Sequence, residues 1–197
     1  MQEPQPVLPS LVALGGLKGS GKSTAAQALL DRGYIRVKMA GALKAMLTTL
    51  LEYQGMAGAD IDRCIEGDLK EEPVNELHGR TPRYAMQTIG AEWGRDLMSP
   101  GFWVGVTAER ISNLMADGHR VLVDDVRYPN ELEMLEVLGA TSVFITRPGI
   151  EPASDHSSEV SLGSADFHSV LDNVSTIEEL HAELLATLRG MEGFRNE

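Results

Sequence analysis

The segment of this chain that most constrains its fold is Gly16–Ser23, which reads Gly-Leu-Lys-Gly-Ser-Gly-Lys-Ser. It matches the spacing G-x-x-x-x-G-K-[ST], and it lies between an apolar run, Leu11–Gly15, and a helix-compatible stretch, Ala25–Asp31. A strand, a glycine-rich loop and a helix in this order hold an anion with backbone N–H groups and a helix N-terminus. The pattern therefore predicts an α/β fold that binds a nucleotide.

Two side chains of this loop carry specific chemistry. Lys22 is expected to reach the β- and γ-phosphates of ATP, and the Ser23 hydroxyl is expected to bind Mg²⁺ together with phosphate oxygens. A glycine-rich turn that merely joins a strand to a helix would explain neither residue. The residues that we assign to the nucleotide here are Gly16, Leu17, Lys18, Gly19, Ser20, Gly21, Lys22, Ser23 and Thr24.

The rest of the chain alternates apolar runs with amphipathic stretches, which is typical of a parallel sheet covered by helices on both faces. We therefore predict a P-loop NTPase fold with a five-stranded parallel sheet. Its strands are expected at Leu11–Gly15, Tyr34–Lys38, Arg120–Asp124, Thr141–Thr146 and Ser169–Asn173.

Three helices are predicted from stripes of apolar residues at helical spacing. The stripes are Leu43, Met46, Leu47 and Leu50, then Val104, Ala108, Ile111 and Met115, and finally Ile177, Leu180, Leu184 and Leu188. The last helix is expected to begin with a capping box formed by Ser175 and Glu178.

Two segments interrupt the alternation. Residues 39–119 separate the second and third strands by far more than one crossover helix needs, so we predict a helical insert in a single domain with its core at 1–38 and 120–197. Residues 148–168 are rich in Ser, Gly, Pro and Asp and show no periodicity. We expect a lid there, although a surface loop without a function would have the same composition.

Composition argues against several classes of protein. The formal net charge of −12 at pH 7 is unfavourable for nucleic-acid binding, which needs a basic surface. Residues 1–10 lack the features of a signal peptide, and no apolar run is long enough to span a bilayer, so we expect a cytoplasmic protein. Cys64, the single cysteine, cannot form an intramolecular disulfide. Whether the chain forms a homodimer is left open.

The third predicted strand ends in two acidic residues, Asp124 and Asp125. P-loop proteins use an acidic residue at the end of a neighbouring strand to face the metal, directly or through water. Either residue could take this role, and we assign Asp124 to the metal and Asp125 to the substrate. The alternative is that acidic residues end strands simply because strands end at the surface.

The segment Gly79–Gln87 points to a second ligand. Thr81 can cap a helix that begins with proline, which places Arg83 in the first turn, where a cation opposes the helix dipole. Arg80, Arg83 and Gln87 are spaced i, i+3 and i+7, so two guanidinium groups could bind a phosphate while Gln87 meets a polar heterocycle. On spacing alone, an ordinary solvated helix face explains the same pattern.

A longer set of runs decides between these alternatives. The runs are Met39–Lys44, Gly79–Arg95, Phe102–Val104, Asp124–Glu131, Ile145–Pro148, Asp155–Glu159, Leu171–Asn173 and Glu178–Leu180. In this order they resemble bacteriophage-type deoxynucleoside monophosphate kinases, which are adenylate-kinase-like. The resemblance covers nearly the whole chain.

The resemblance implies a kinase core, a helical insert that binds the acceptor, and a lid. It implies ATP and Mg²⁺ as donor and cofactor, and a (deoxy)nucleoside 5′-monophosphate as acceptor, in the host cytoplasm if the gene is from a phage. Small molecules, and neither nucleic acid nor membrane, are then the partners. The residues that it assigns to the acceptor are Lys44, Arg80, Arg83, Gln87, Trp93 and Arg95.

The resemblance also bears on residues near the transferring phosphate and in the lid. Arg147 would reach the transferring phosphate, and Asn173 is assigned to the bound nucleotide. Arg127 would serve the same end as Arg147, unless it forms a surface ion pair with Glu131. Residues 148–168 contain no Arg or Lys, unlike the lids of adenylate-kinase-like enzymes. Their one nearby candidate is His156, beside Ser158 and Glu159, and a solvated loop histidine is the alternative.

Catalysis in this scheme needs alignment and charge neutralisation rather than a general base, because the acceptor phosphate is already ionised. Two other functions use the same loop. One is a kinase of another phosphorylated metabolite, of the phosphomevalonate or dephospho-CoA type, which would not require Gln87 and Trp93 near a base. The other is a P-loop ATPase or nucleotide-binding module, which would hydrolyse ATP without a small acceptor.

Overall fold

The computed structural model describes residues 8–151 and 162–195. Five parallel strands form one sheet in the order β2-β3-β1-β4-β5, which confirms the predicted P-loop fold. The strands are β1 Leu11–Gly15, β2 Tyr34–Val37, β3 Arg120–Val123, β4 Thr141–Thr146 and β5 Ser169–Asp172. The predicted bounds of β1 and β4 are thus confirmed, and the other three strands end one residue earlier than predicted.

Seven α-helices lie in the described residues, with three short 3₁₀ turns and one π-helix. The α-helices are α1 Lys22–Leu30, α2 Gly41–Tyr53, α3 Gly58–Ile65, α4 Pro82–Thr88, α5 Phe102–Ala116, α6 Pro129–Val137 and α7 Ile177–Arg195. The 3₁₀ turns are Asp68–Glu71, Asn75–Leu77 and Ser164–Asp166, and the π-helix is Ile89–Met98. None of the described helices is both long enough and apolar enough to cross a membrane.

The chain divides into two compact units. The core unit consists of the residues up to Lys38 and from Ala108 onward, and the insert is Met39–Thr107. In the core unit, β1 is buried along its whole length because it pairs with β3 on one side and β4 on the other. Its hydrophobic core joins the sheet to α1 and α7. The carboxyl end of β1, where the glycine-rich loop begins, is therefore held on both sides.

The insert has a hydrophobic core of its own. Leu47 and Leu51 of α2 and Cys64 of α3 are fully buried there, and Met86 of α4 is buried beside them. The predicted stripe on α2 is wrong in part, because Met46 and Leu50 are 42% and 45% exposed. The helices α3 and α4 both pack on α2, so it is the face with Leu47 and Leu51 that is covered.

The cap of α7 differs from the prediction by one residue. Thr176, not Ser175, is the residue before the helix: its hydroxyl accepts from the N–H of Glu179 (3.3 Å), and the Glu179 carboxylate accepts from the N–H of Thr176 (3.0 Å). Glu178 is therefore not part of the capping box. The shift follows from the first helical residue, Ile177, since the box joins the residue before the helix to the third residue in it.

Candidate functional site

The loop between β1 and α1 has a backbone that only glycine adopts easily. Gly16, Gly19 and Gly21 have φ angles of 135°, 85° and 103°, in the region that disfavours side chains. A Cβ on Gly16 would lie 2.3 Å from the carbonyl oxygen of Ile145, so this position has no room for one. No side chain of the described residues caps α1, and no acidic residue lies in its first turn, so the positive end of its dipole is not neutralised by an acidic side chain there.

Lys22 is the first residue of α1, and its side chain folds back over the loop. Its Nζ donates hydrogen bonds to the carbonyl oxygens of Gly16 (2.5 Å) and Leu17 (2.7 Å). The ammonium group therefore lies beside the start of the loop, where phosphates are expected. Ser23 is exposed and Thr24 is half-buried.

Two side chains, one just after β5 and one on α7, contact backbone carbonyl groups of the loop and of the start of α1. The side-chain amide of Asn173 donates to the carbonyl oxygen of Ser20 (2.9 Å), and His181 Nε2 lies 2.7 Å from the carbonyl oxygen of Thr24. Since a carbonyl only accepts, Nε2 of His181 carries the proton. The Ser20 hydroxyl is buried and has no hydrogen-bond partner among the described residues.

Asp124 comes directly after β3, and its carboxylate is fully buried. Two cations lie close to it, Arg36 on β2 and Lys38 directly after β2. Lys38 Nζ lies 2.6 Å from Oδ1, and Arg36 Nε lies 3.3 Å from Oδ2. Oδ2 still accepts no hydrogen bond from the described residues. The two cations neutralise the charge of the Asp124 carboxylate, and Oδ2 can still accept a hydrogen bond.

The neighbouring polar residues lie on the same edge of the sheet. Asp125 is half-buried, and the Arg127 side chain is exposed. The Glu131 carboxylate accepts from the backbone N–H groups of Arg127 (2.8 Å) and Tyr128 (3.2 Å), so it caps the start of α6. Arg147 follows β4 and is exposed.

In the insert, the expected start of α4 is present. The Thr81 hydroxyl accepts from the N–H of Tyr84 (3.1 Å), and Pro82 is the first helical residue. Arg83 forms an ion pair with Glu71, and the Arg80 guanidinium lies 4.8 Å from the centre of the Tyr84 ring. The two guanidinium groups thus have different neighbours, and Lys44 of α2 pairs with Glu66.

The π-helix after α4 was not predicted. Gln87 is exposed at the end of α4, whereas Trp93 and Arg95 lie on the π-helix. Arg95 is exposed, and Trp93 is half-buried against Phe102 and Trp103, with ring centres 5.3 and 5.8 Å away.

More than half of the chain matches the model of one protein family. Residues 63–184 match the family model of deoxynucleotide monophosphate kinase. A protein of Acanthamoeba polyphaga mimivirus, provisionally named as such a kinase, is 34% identical over 189 residues, covering 89% of this chain and 94% of the relative. The chain belongs to the deoxynucleotide monophosphate kinase family. It is a nucleotide kinase, with ATP as the phosphoryl donor and small molecules as substrates.

Two further similarities accompany this one. The kinase is 26% identical over 150 residues to the deoxynucleotide monophosphate kinase of Escherichia phage RB69, covering 70% of this chain and 62% of the phage protein. The solved structure of dephospho-CoA kinase from Campylobacter jejuni matches with a TM-score of 0.49 at 12% identity, covering 92% of this chain and 97% of that one. A likeness at that level does not bear on the reaction.

Part of the predicted lid of the kinase lies outside the described residues. His156, Ser158 and Glu159 fall in this part, and their expected roles stay predictions. The segment is described again from residue 162, where the 3₁₀ turn Ser164–Asp166 leads to Phe167. The Phe167 ring occupies the space in which a Cβ on Gly15 would lie.

Sequence reasoning missed several charged residues around these sites. Arg36 and Lys38 belong to β2 and its end, and only the pairing of β2 with β3 brings them to Asp124. No sequence pattern indicates Glu66 and Glu71 either, although both pair with cations assigned to the acceptor. The signal that could have pointed to Arg36 and Lys38 is their i, i+2 spacing on a predicted strand, which places both side chains on the same face of the sheet.

Proposed function

We propose that this kinase transfers the γ-phosphoryl group of ATP to the 5′-phosphate of a deoxynucleoside monophosphate, giving ADP and the deoxynucleoside diphosphate. The observation that carries this proposal is the glycine loop with Lys22 Nζ folded over its first carbonyl groups, in a chain of this family. A phosphate oxygen of the acceptor forms the new bond to the γ-phosphorus, while the bond from that phosphorus to the bridging oxygen of ADP breaks.

The donor side of the mechanism uses the core unit. The loop N–H groups and Lys22 bind the phosphates of ATP, and Arg127 and Arg147 supply positive charge to the transferring group. Both arginines are exposed at the ends of strands or in the loops that follow them, so their side chains can turn to a ligand. Asn173 acts on the nucleotide through the loop, because it bonds to the backbone of Ser20.

Mg²⁺ fits the residues at this edge of the sheet. Ser23 offers an exposed hydroxyl at the start of α1, and the buried Oδ2 of Asp124 has hydrogen-bonding capacity that a metal-bound water would use. These two residues would hold the ion together with phosphate oxygens. When bound, it would neutralise charge on the phosphates of ATP.

The acceptor side uses the insert. Arg83 is exposed and pairs with Glu71, and an exposed ion pair of this kind is weak enough to exchange for a phosphate. Gln87 lies one turn further along α4, where its amide can donate to and accept from a base. We assign Lys44, Arg80, Trp93, Arg95 and, at the edge of the sheet, Asp125 to supporting contacts with the acceptor.

The experiment that tests this function compares Arg83→Ala with Gln87→Ala over a panel of ribo- and deoxynucleoside monophosphates. Every acceptor has a phosphate, so Arg83→Ala should lower kcat/KM for all of them by a similar factor, on the order of 100-fold for a lost charged hydrogen bond of ~3 kcal/mol. Gln87→Ala should instead change the ranking of the acceptors, because each base has its own donors and acceptors.

Other outcomes favour the other functions. ADP release from ATP that is independent of every nucleoside monophosphate would indicate a P-loop ATPase. Phosphorylation of phosphomevalonate or dephospho-CoA in preference to the nucleotides would indicate a metabolite kinase. Variants of Arg83 and Gln87 that both match the parent over the whole panel would remove α4 from the acceptor site.

A further inference from the structure

Lys70 lies on the 3₁₀ turn Asp68–Glu71 of the insert, and no role has yet been given to it. Its side chain is half-buried. The ion pairs and side-chain hydrogen bonds of the described residues include none from Lys70, although Lys44 and Arg83 each pair with a carboxylate. An amine that is partly removed from water without a partner is unfavourable unless a ligand compensates it.

The neighbours of Lys70 are charged residues from three elements. Lys44 comes from α2 and pairs with Glu66, and Arg83 comes from α4 and pairs with Glu71. The turn that carries Lys70 packs against both α3 and α4, which brings these groups together. Burial first, and then the positive charges of Lys44 and Arg83, lower the pKa of Lys70, while the two carboxylates oppose this effect.

Lys70 differs from the two cations beside it, because Lys44 and Arg83 each form an ion pair with a carboxylate and Lys70 forms none with the described residues. The chain as a whole has 29 acidic and only 17 basic residues. Lys44 and Arg83 repel the charge of Lys70, and a bound anion would offset this repulsion. A lysine with a structural role alone would extend into water or pair with a carboxylate of its own.

We infer that Lys70 binds the 5′-phosphate of the acceptor nucleotide together with Lys44 and Arg83, and that Glu66 and Glu71 occupy the latter two cations when no phosphate is present. This inference rests on the proposed function, because it gives the insert the acceptor phosphate. The phosphate dianion replaces two carboxylates in exposed, weak ion pairs, and it gives Lys70 the partner that it lacks.

The first test is binding, measured by calorimetry with a deoxynucleoside monophosphate and with the matching deoxynucleoside, which has no phosphate. Lys70→Met keeps most of the apolar stem and removes the charge. It should weaken binding of the monophosphate by about 10-fold or more and leave the deoxynucleoside unchanged. Lys70→Arg should keep most of the affinity. Arg110→Met removes a cation from the exposed face of α5 and serves as the control for net charge.

The second test is a substitution that should strengthen binding of the monophosphate. Glu71→Gln removes the carboxylate that competes for Arg83, so it should tighten binding of the monophosphate several-fold, with the same KM for ATP. A purely structural role for this cluster would make both Lys70→Met and Glu71→Gln weaken binding, or lower the thermal midpoint of both. Either result would overturn the inference, as would a Lys70→Met variant that binds the monophosphate like the Arg110→Met control.

Arg83→Met, measured in the same way, separates this inference from the proposed function. If it loses monophosphate binding while Lys70→Met does not, Lys70 is not a phosphate ligand and the acceptor site on α4 stands. If neither variant changes binding, the acceptor site itself is wrong. If both variants lose binding of the monophosphate and keep binding of the deoxynucleoside, the result supports both the inference and the proposed function.

Discussion

The side-chain amide of Asn173 donates to the carbonyl oxygen of Ser20, and its Nδ2 fills the space where a Cβ on Gly21 would lie, at 2.3 Å. The end of β5 is therefore in contact with the middle of the phosphate loop. The contact fixes the orientation of the peptide after Ser20, and with it the direction of the N–H groups that follow.

Asn173→Ala is expected to raise KM for ATP and to have a smaller effect on KM for the acceptor. A neutral hydrogen bond contributes about 1 kcal/mol, so a change of about 5-fold in ATP affinity is expected. Steady-state kinetics with each substrate varied in turn would check this. An equal rise in both KM values would mean that Asn173 acts on the whole site rather than on the loop.

Lys22→Ala is expected to leave the protein folded and to reduce kcat by on the order of 100-fold or more, because a preorganised charge beside the transferring group is lost. Its hydrogen bonds to Gly16 and Leu17 join a half-buried side chain to the loop, not to the hydrophobic core. Circular dichroism and single-turnover transfer would measure the two effects, with Arg110→Ala as the control. Parent-like transfer by Lys22→Ala would contradict the P-loop mechanism.

Asp124→Asn separates two roles of the buried carboxylate. If its pairs with Lys38 and Arg36 matter to the fold, the substitution should lower the free energy of unfolding by about 1–3 kcal/mol. That range is below the usual cost of a broken buried pair, because the two cations are 34% and 32% exposed. Denaturant unfolding would measure it. If stability is unchanged and the dependence of activity on Mg²⁺ concentration changes, Asp124 acts on the metal and not on the fold.

Gly94→Ala tests the packing of the π-helix. A Cβ on Gly94 would lie 2.1 Å from Nε1 of Trp103, which donates to the carbonyl oxygen of Gly90 (2.8 Å). The indole ring must move and lose this hydrogen bond, so we expect a loss of about 1–3 kcal/mol in stability. Gly105→Ala is the matched control. It lies in α5 with no atom within 4 Å of its Cβ position, and it should gain about 0.5–1 kcal/mol. Tryptophan fluorescence during unfolding would follow both.

The sequence alone was sufficient for features that depend on neighbouring residues. The loop, the strands around it and the cap at Thr81 all follow from local spacing and were predicted. The features that were missed depend on distant parts of the chain. Lys38 and Asp124 are 86 residues apart in sequence and pair across two adjacent strands. The charges of Lys44 and Arg83 act on Lys70 only after three elements have packed. Which face of α2 is buried was decided in the same way, by α3 and α4.

The π-helix at Ile89–Met98 changes how residues in this segment should be counted. Its backbone bonds join residues five apart, as from the N–H of Ser99 to the carbonyl oxygen of Gly94 (3.1 Å), instead of four. The face that carries Arg83 and Gln87 therefore does not continue to Arg95 by the usual helical spacing. Removing residues here would change this winding and turn Trp93 and Arg95 to new directions. Small insertions and deletions in this segment, more than substitutions, would then change which side chains reach a nucleotide base in related kinases.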